Sequence, residues 1–176
     1  MHLITTFAIV VAIAAVGSGT ILYFLPMIST QLYHTKGEQD VAAIDRTLPT
    51  NSNGYRQVNV TVNGIKLVAD IAANEEQRTK GLAVKDHLNE NEGMLFVFST
   101  PDNYAFWMKD MKFPIDIIWM DANKTVVHIE HSLAPCSPVS CPAYPPNSNS
   151  LYVLETIAGF ADKYNVTQGT KIEFAL

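Results

Sequence analysis

The sequence predicts a mainly β (α+β) protein: one antiparallel β-sandwich or partly open barrel with two short helices, preceded by a single N-terminal transmembrane helix. Three observations carry this reading. The first 35 of the 176 residues contain no Asp, Glu, Lys or Arg. From Tyr55 onward, short runs rich in β-branched and aromatic residues alternate with turn signals, the pattern of many short strands. Only two stretches, "NEEQRTKGL" and "TIAGFADKY", carry helix punctuation.

The apolar run from Leu3 to Ile28 is the first element. At about 1.5 Å per residue, a helix of that length crosses the roughly 30 Å hydrocarbon core of a bilayer. A cleaved signal peptide is the alternative. The apolar run exceeds a signal peptide's core of about 7–15 residues and lacks a basic leader, which favours an uncleaved anchor. Basic residues are sparse around it, with Lys36 and Arg46 following the span, and read alone they would keep the C-terminal part inside. Three acceptor sequons, at Asn59, Asn123 and Asn165, point outside but carry little weight. A single N-terminal anchor on a small domain most often exports it, so the expected location is the cell membrane, single-pass, with the C-terminal domain extracytoplasmic. Residues 29–54 are polar and end in a Pro, Asn, Ser and Gly cluster, the composition of a linker. Residues 55–176 are long enough for one domain with its own core.

That domain opens on "RQVNVTVNGIKLVADI", in which Val58, Val60 and Val62 alternate with polar residues before Asn63-Gly64. Asn-Gly suits the positive φ angles of a type I′ turn, so a hairpin is expected. In "NEEQRTKGL", Asn74 can cap a helix, Glu75 and Glu76 suit its positive end, and Gly81 can stop it. "MLFVF", "YAFWMK" and "IDIIWM" read as strands, and "DANK" turns the last into "TVVHIEH". "PCSPVSCPAYPPNSNS" holds five prolines, too many for a central strand. "LYVLE" is a strand, "TIAGFADKY" a helix capped by Thr156, and "KIEFA" the closing strand.

Four features could carry function. Trp107 and Lys109 either cover a sheet face or form a pocket mouth, an aromatic wall and a cation for an anionic ligand. Asp116 sits among Ile115, Ile117 and Ile118, where a buried charge needs a partner. Arg78, Lys109 or the backbone N–H groups of a turn can supply one, and a structural anchor is the favoured role. Glu155 poses the same question. Asp116 and Glu155 could also act as acid and base across a cleft, although no serine elbow, phosphate loop or His-Glu-x-x-His motif supports an enzyme. His128, His131, Cys136 and Cys141 are sound ligand types for zinc or copper, but their spacing fits no familiar finger, and two histidines three apart on a strand face opposite sides. Cys136 and Cys141 are the only cysteines, and an exported domain would join them as a disulfide.

The motifs "RTKGL", "GMLFVF", "FWMK", "PIDIIWMD" and "YVLE" followed by "AGFADKY" occur in an order and spacing that resembles the family called domain of unknown function 192. The resemblance covers about Val58 to Phe174. It implies a mainly antiparallel fold of jelly-roll or sandwich type and no reaction. Family members typically carry Met where this chain has Ala83, and Asn-Thr where it has Asp110-Met111. A carboxylate only accepts hydrogen bonds, so Asp110 alters any contact made by that Asn.

The expected function is a membrane-anchored extracytoplasmic ligand-binding or interaction module, with Arg78, Trp107, Lys109, Asp110, Asp116 and Glu155 as candidate ligand contacts. Its partners would be the membrane, through the N-terminal helix, and a small ligand or envelope protein. With a net charge of −5, no nucleic-acid partner is expected, and no cofactor is. The alternatives are an envelope hydrolase using Asp116 and Glu155, or a metal-binding protein using the His and Cys cluster.

Overall fold

Asn63 and Gly64 both take positive φ, 47° and 84°, and turn the strand β1 (Gln57–Val62) back onto β2 (Ile65–Ala72). The computed structural model containing this hairpin describes residues 47–137 and 139–176. The predicted anchor at 3–28 and most of the predicted linker lie outside them. Among the described residues no helix is long and apolar enough to cross a membrane.

After β2 comes helix α1 (Glu75–Lys80), started by a capping box in which the Asn74 side chain accepts from Gln77 N–H and Gln77 reaches back. Gly81 ends it at φ 48°, and a 3₁₀ turn (Gly81–Val84) follows. The chain then enters β3 (Glu92–Asp102), which pairs with β2 in parallel. A parallel pair needs a crossover, and α1 with the 3₁₀ turn forms it. The sheet is mainly antiparallel, and the expectation of antiparallel pairing is corrected at this one pair.

The remaining strands are β4 (Phe106–Trp107), β5 (Ile115–Met120), β6 (Val126–Leu133), β7 (Ala143–Tyr144), β8 (Ser150–Ile157) and β9 (Ile172–Glu173). Seven of the nine form one sheet in the order β6-β5-β8-β3-β2-β1-β9. The expected strand 104–109 shrinks to the two residues of β4, which pairs only with β7. Near the sheet's two ends, Thr125 bridges Lys171, and Ile172 N–H donates to Lys124 O at 3.0 Å. The outer strands meet at that corner, so the fold is one curled, mainly β sheet with short helices, and not two sheets stacked as a sandwich.

Each face of the curl has its own core. The inner one gathers Val58, Val60, Val62, Leu95, Ile118, Leu154 and Phe160, and the outer one Leu82, Phe96, Met108, Ile117, Trp119 and Val153. Every residue of β5 is buried, since alternate side chains serve both cores. The second helix is shorter than the sequence predicts. Strand β8 runs through Thr156 to Ile157, and α2 (Phe160–Lys163) starts after Gly159, so Thr156 is a strand residue and not a cap.

Candidate functional site

Asp116 points to the inner core, fully buried. Its Oδ1 accepts from Ser132 N–H (2.7 Å) and Gly159 N–H (3.0 Å), and its Oδ2 from Ala161 N–H (2.8 Å). The β5–β6 register slips between Ile115 and Ile117, and Ser132, at φ 49°, lies in that bulge. One carboxylate therefore fixes a strained bulge and the start of α2, which has no side-chain cap of its own. The partners are backbone groups, not Arg78 or Lys109.

Glu155 lies on the other face. In the β5–β8 register Ile117 opposes Glu155 and Asp116 opposes Thr156, so the two carboxylates project to opposite sides of the sheet. The acid–base pair considered from sequence is not formed. The metal cluster is not formed either. Cys136 and Cys141 are joined in a disulfide. His128 meets Glu130 and Asn147, while His131 meets Asp162. No group of three metal-ligating side chains exists among the described residues.

Glu155 is the residue around which a site can be built. Only 3% of it is exposed, and its Oε2 has no hydrogen-bond partner among the described residues. Burial pushes its carboxyl up to about 8, against a smaller opposing interaction with the Leu82 backbone, so at neutral pH it is mostly protonated. Together with Arg78, Gly81, Phe106, Trp107 and Lys109 it lines a recess of about 30 Å³. A wider cleft of about 330 Å³ adjoins it, sharing Arg78, Thr79, Phe96, Phe106 and Trp107 and extending over Phe98 and Tyr104.

Each wall has a local cause. Trp119 Nε1 donates to Tyr104 O at 2.8 Å, and its ring meets Phe106 edge-on at 5.7 Å, which ties residues 104–106 to the outer core. Tyr104 stacks on Phe98 at 3.5 Å. Trp107, the neighbour of Phe106 on β4, points outward and is 51% exposed. Lys109 Nζ lies 5.7 Å from its ring centre. Arg78 reaches from α1, with Nη1 donating to Ala73 O (2.5 Å) and Val97 O (3.2 Å) and its guanidinium over Phe98. Neither Arg78 nor Lys109 forms an ion pair among the described residues. Gly81 lets the 3₁₀ turn pass close, since a Cβ there would sit 3.3 Å from the Phe96 ring and 3.8 Å from Glu155 Oε2.

The disulfide braces this wall. Cys136 N–H donates to Met108 O at 3.3 Å, and β7, just beyond Cys141, pairs Tyr144 with Phe106 and Ala143 with Trp107.

Of the residues singled out from sequence, Arg78, Trp107, Lys109 and Glu155 come together. Asp116 does not join them, and Asp110 lies outside the recess, exposed in a turn at φ 59°. Asn and Asp both tolerate that conformation, which accounts for either residue there. Sequence reasoning missed Phe98 and Thr79 as cleft walls. It also missed Asp70, buried in an apolar run like Asp116, which accepts from Asn51 and Gln57 and pairs with Lys85 at 3.0 Å.

Residues 58–174 match the family of domain of unknown function 192, described as Uncharacterized ACR. The chain belongs to that family. No match is found among curated proteins. Two solved structures share the fold. A protein of unknown function from Novosphingobium aromaticivorans DSM 12444 is 29% identical with a TM-score of 0.63, covering 75% of this chain and 96% of its own. A protein from Sinorhizobium meliloti 1021, named as a candidate transcription regulator, is 25% identical with a TM-score of 0.61, covering 68% of this chain and 95% of its own.

Proposed function

We propose that this domain binds a small ligand in the cleft between α1 and β4, with Glu155 at its floor. The observation that carries the reading is the buried Glu155 carboxyl, one oxygen of which has no partner among the described residues, in a recess also lined by two cations that form no ion pair among them. A buried polar atom left unsatisfied costs about 1–3 kcal/mol, and such groups are retained where they serve a site. The exposed Trp107 ring offers a face for apolar contact, and a cleft of about 330 Å³ lies at the lower end of small-molecule sites. A thermal-shift screen of small organic anions, cations and neutral molecules against the detergent-solubilised full chain tests this. Ligands should raise the melting temperature of wild type and not of Trp107→Ala. An unresponsive wild type, or equal shifts in both proteins, would remove the reading.

We further propose that the charge-free N-terminal segment anchors the domain in the membrane on its extracytoplasmic side. The uncharged first 35 residues support the anchor, and the Cys136–Cys141 disulfide supports an oxidising compartment. Full-length protein should stay with membranes through a carbonate wash. Its release, shortened near Gly19, would establish a cleaved signal instead.

A further inference from the structure

We propose that the recess over Glu155 takes the carboxylate of a small acid whose flat apolar body lies against Trp107 and Phe106. This inference rests on the cleft being a ligand site and names the class of ligand. Four observations converge on it. A volume of about 30 Å³ holds about two water-sized atoms, the two oxygens of a carboxylate, whereas a phosphate carries more oxygens than the recess can take. Three cations line it: Lys80 is occupied by Glu76 at 2.7 Å, leaving Arg78 and Lys109 for an incoming anion. The cleft beyond is walled chiefly by aromatic rings, with Glu75 its one carboxylate, on the exposed first turn of α1. Glu155, protonated at neutral pH, can donate its O–H to a carboxylate oxygen, a charge-assisted bond that an ionised Glu155 would replace by repulsion.

The charged and titratable groups lining the recess are Arg78 and Lys80 from α1, Lys109 after β4 and Glu155 from β8, while Phe96 of β3 and Met111 are apolar. Glu155, its carboxyl raised to about 8, is the recess group that sets the pH dependence of binding.

The test is a calorimetric titration of the full chain in detergent with benzoate, benzamide and inorganic phosphate at pH 6 to 9. Benzoate should bind at least tenfold tighter than benzamide, with constant affinity below pH 7 and a fall above it that totals about tenfold once Glu155 is ionised. Lys109→Ala should weaken benzoate about tenfold and leave benzamide unchanged. Glu155→Gln keeps a neutral donor, so it should bind benzoate with no pH dependence. Should that variant fail to fold, the exposed Lys109 and the wild-type pH profile still decide the matter. Equal affinity for benzamide, or phosphate binding in place of benzoate, would overturn the carboxylate assignment. Benzoate failing to bind where other molecules from the thermal screen do would overturn it too, while leaving the cleft a ligand site.

Discussion

The Asp116 carboxylate in β5 accepts the backbone N–H of Ala161, 45 residues later, at 2.8 Å. It thereby acts as the N-terminal cap of a helix that carries none of its own, while its other oxygen holds Ser132 and Gly159. Net values for hydrogen bonds to charged groups are about 1.5–3 kcal/mol each, and they are not additive across one carboxylate. Asp116→Ala should therefore cost about 3–5 kcal/mol in urea unfolding. Asp116→Asn should cost nearly as much, because its amide turns a donor toward one of three donors. A variant as stable as wild type would show that these contacts do not hold the bulge and the helix.

Glu155 gives the protein a stability that falls as pH rises. Its folded-state carboxyl lies at about 8, above the ordinary 4.5, so between those values the unfolded chain has released a proton that the folded chain still holds. Stability is full below about pH 4.5, declines by up to about 1.4 kcal/mol per unit, and levels off above about 8. Urea midpoints of wild type and Glu155→Gln should diverge across this window, with the variant the more stable at pH 8. Parallel curves would mean that Glu155 is not held protonated.

Gly93 controls how closely β3 and β8 approach beneath the recess. A Cβ there would lie 2.8 Å from the Glu155 backbone oxygen and 3.0 Å from Leu67 Cδ1. Gly93→Ala should cost about 2–3 kcal/mol by overpacking, with the strand carrying Glu155 displaced. Gly54→Ala, at φ 80° but in open space, should cost only about 1 kcal/mol. Denaturation of the two variants side by side separates lack of room from backbone conformation.

The disulfide loop should contribute little to stability and more to the site. On the chain-entropy account, closing so short a loop is worth about 2 kcal/mol. Replacing both Cys136 and Cys141 by Ser should cost about that much. It should also loosen the β4–β7 pair that presents Trp107, seen as faster amide exchange at Tyr144 and Trp107. Unchanged exchange would separate the disulfide from the cleft wall.

Local chemistry made several elements legible. Asn63-Gly64 announces its turn by the φ angles it permits, and Asn74 with Glu75 and Glu76 announces a helix start, because each signal acts within a few residues. The strand 115–120 was read to its ends. What depends on distant partners was not legible. The parallel β2–β3 pairing follows from where α1 packs, and the cap of α2 lies in β5, so Thr156 drew the cap role on proximity alone. The recess unites Arg78 with Glu155 across 77 positions of sequence, and nothing in their spacing says that they meet while Asp116 faces away. Asp70 gave the same signal as Asp116, a carboxylate in an apolar run, and its partners Asn51 and Lys85 lie on separate loops.

The central claim is that Glu155 stands protonated at the floor of a recess that a ligand anion enters. Carbon NMR of its side-chain carboxyl, followed from pH 4 to 10 with and without saturating benzoate, tests it most directly. Binding and protonation are reciprocally linked, so an anion that prefers the protonated acid must raise the carboxyl's pKa. The account predicts titration near 8 in the free protein and a further rise of about one unit when benzoate is bound. Titration near the ordinary 4.5, unmoved by benzoate, would contradict it.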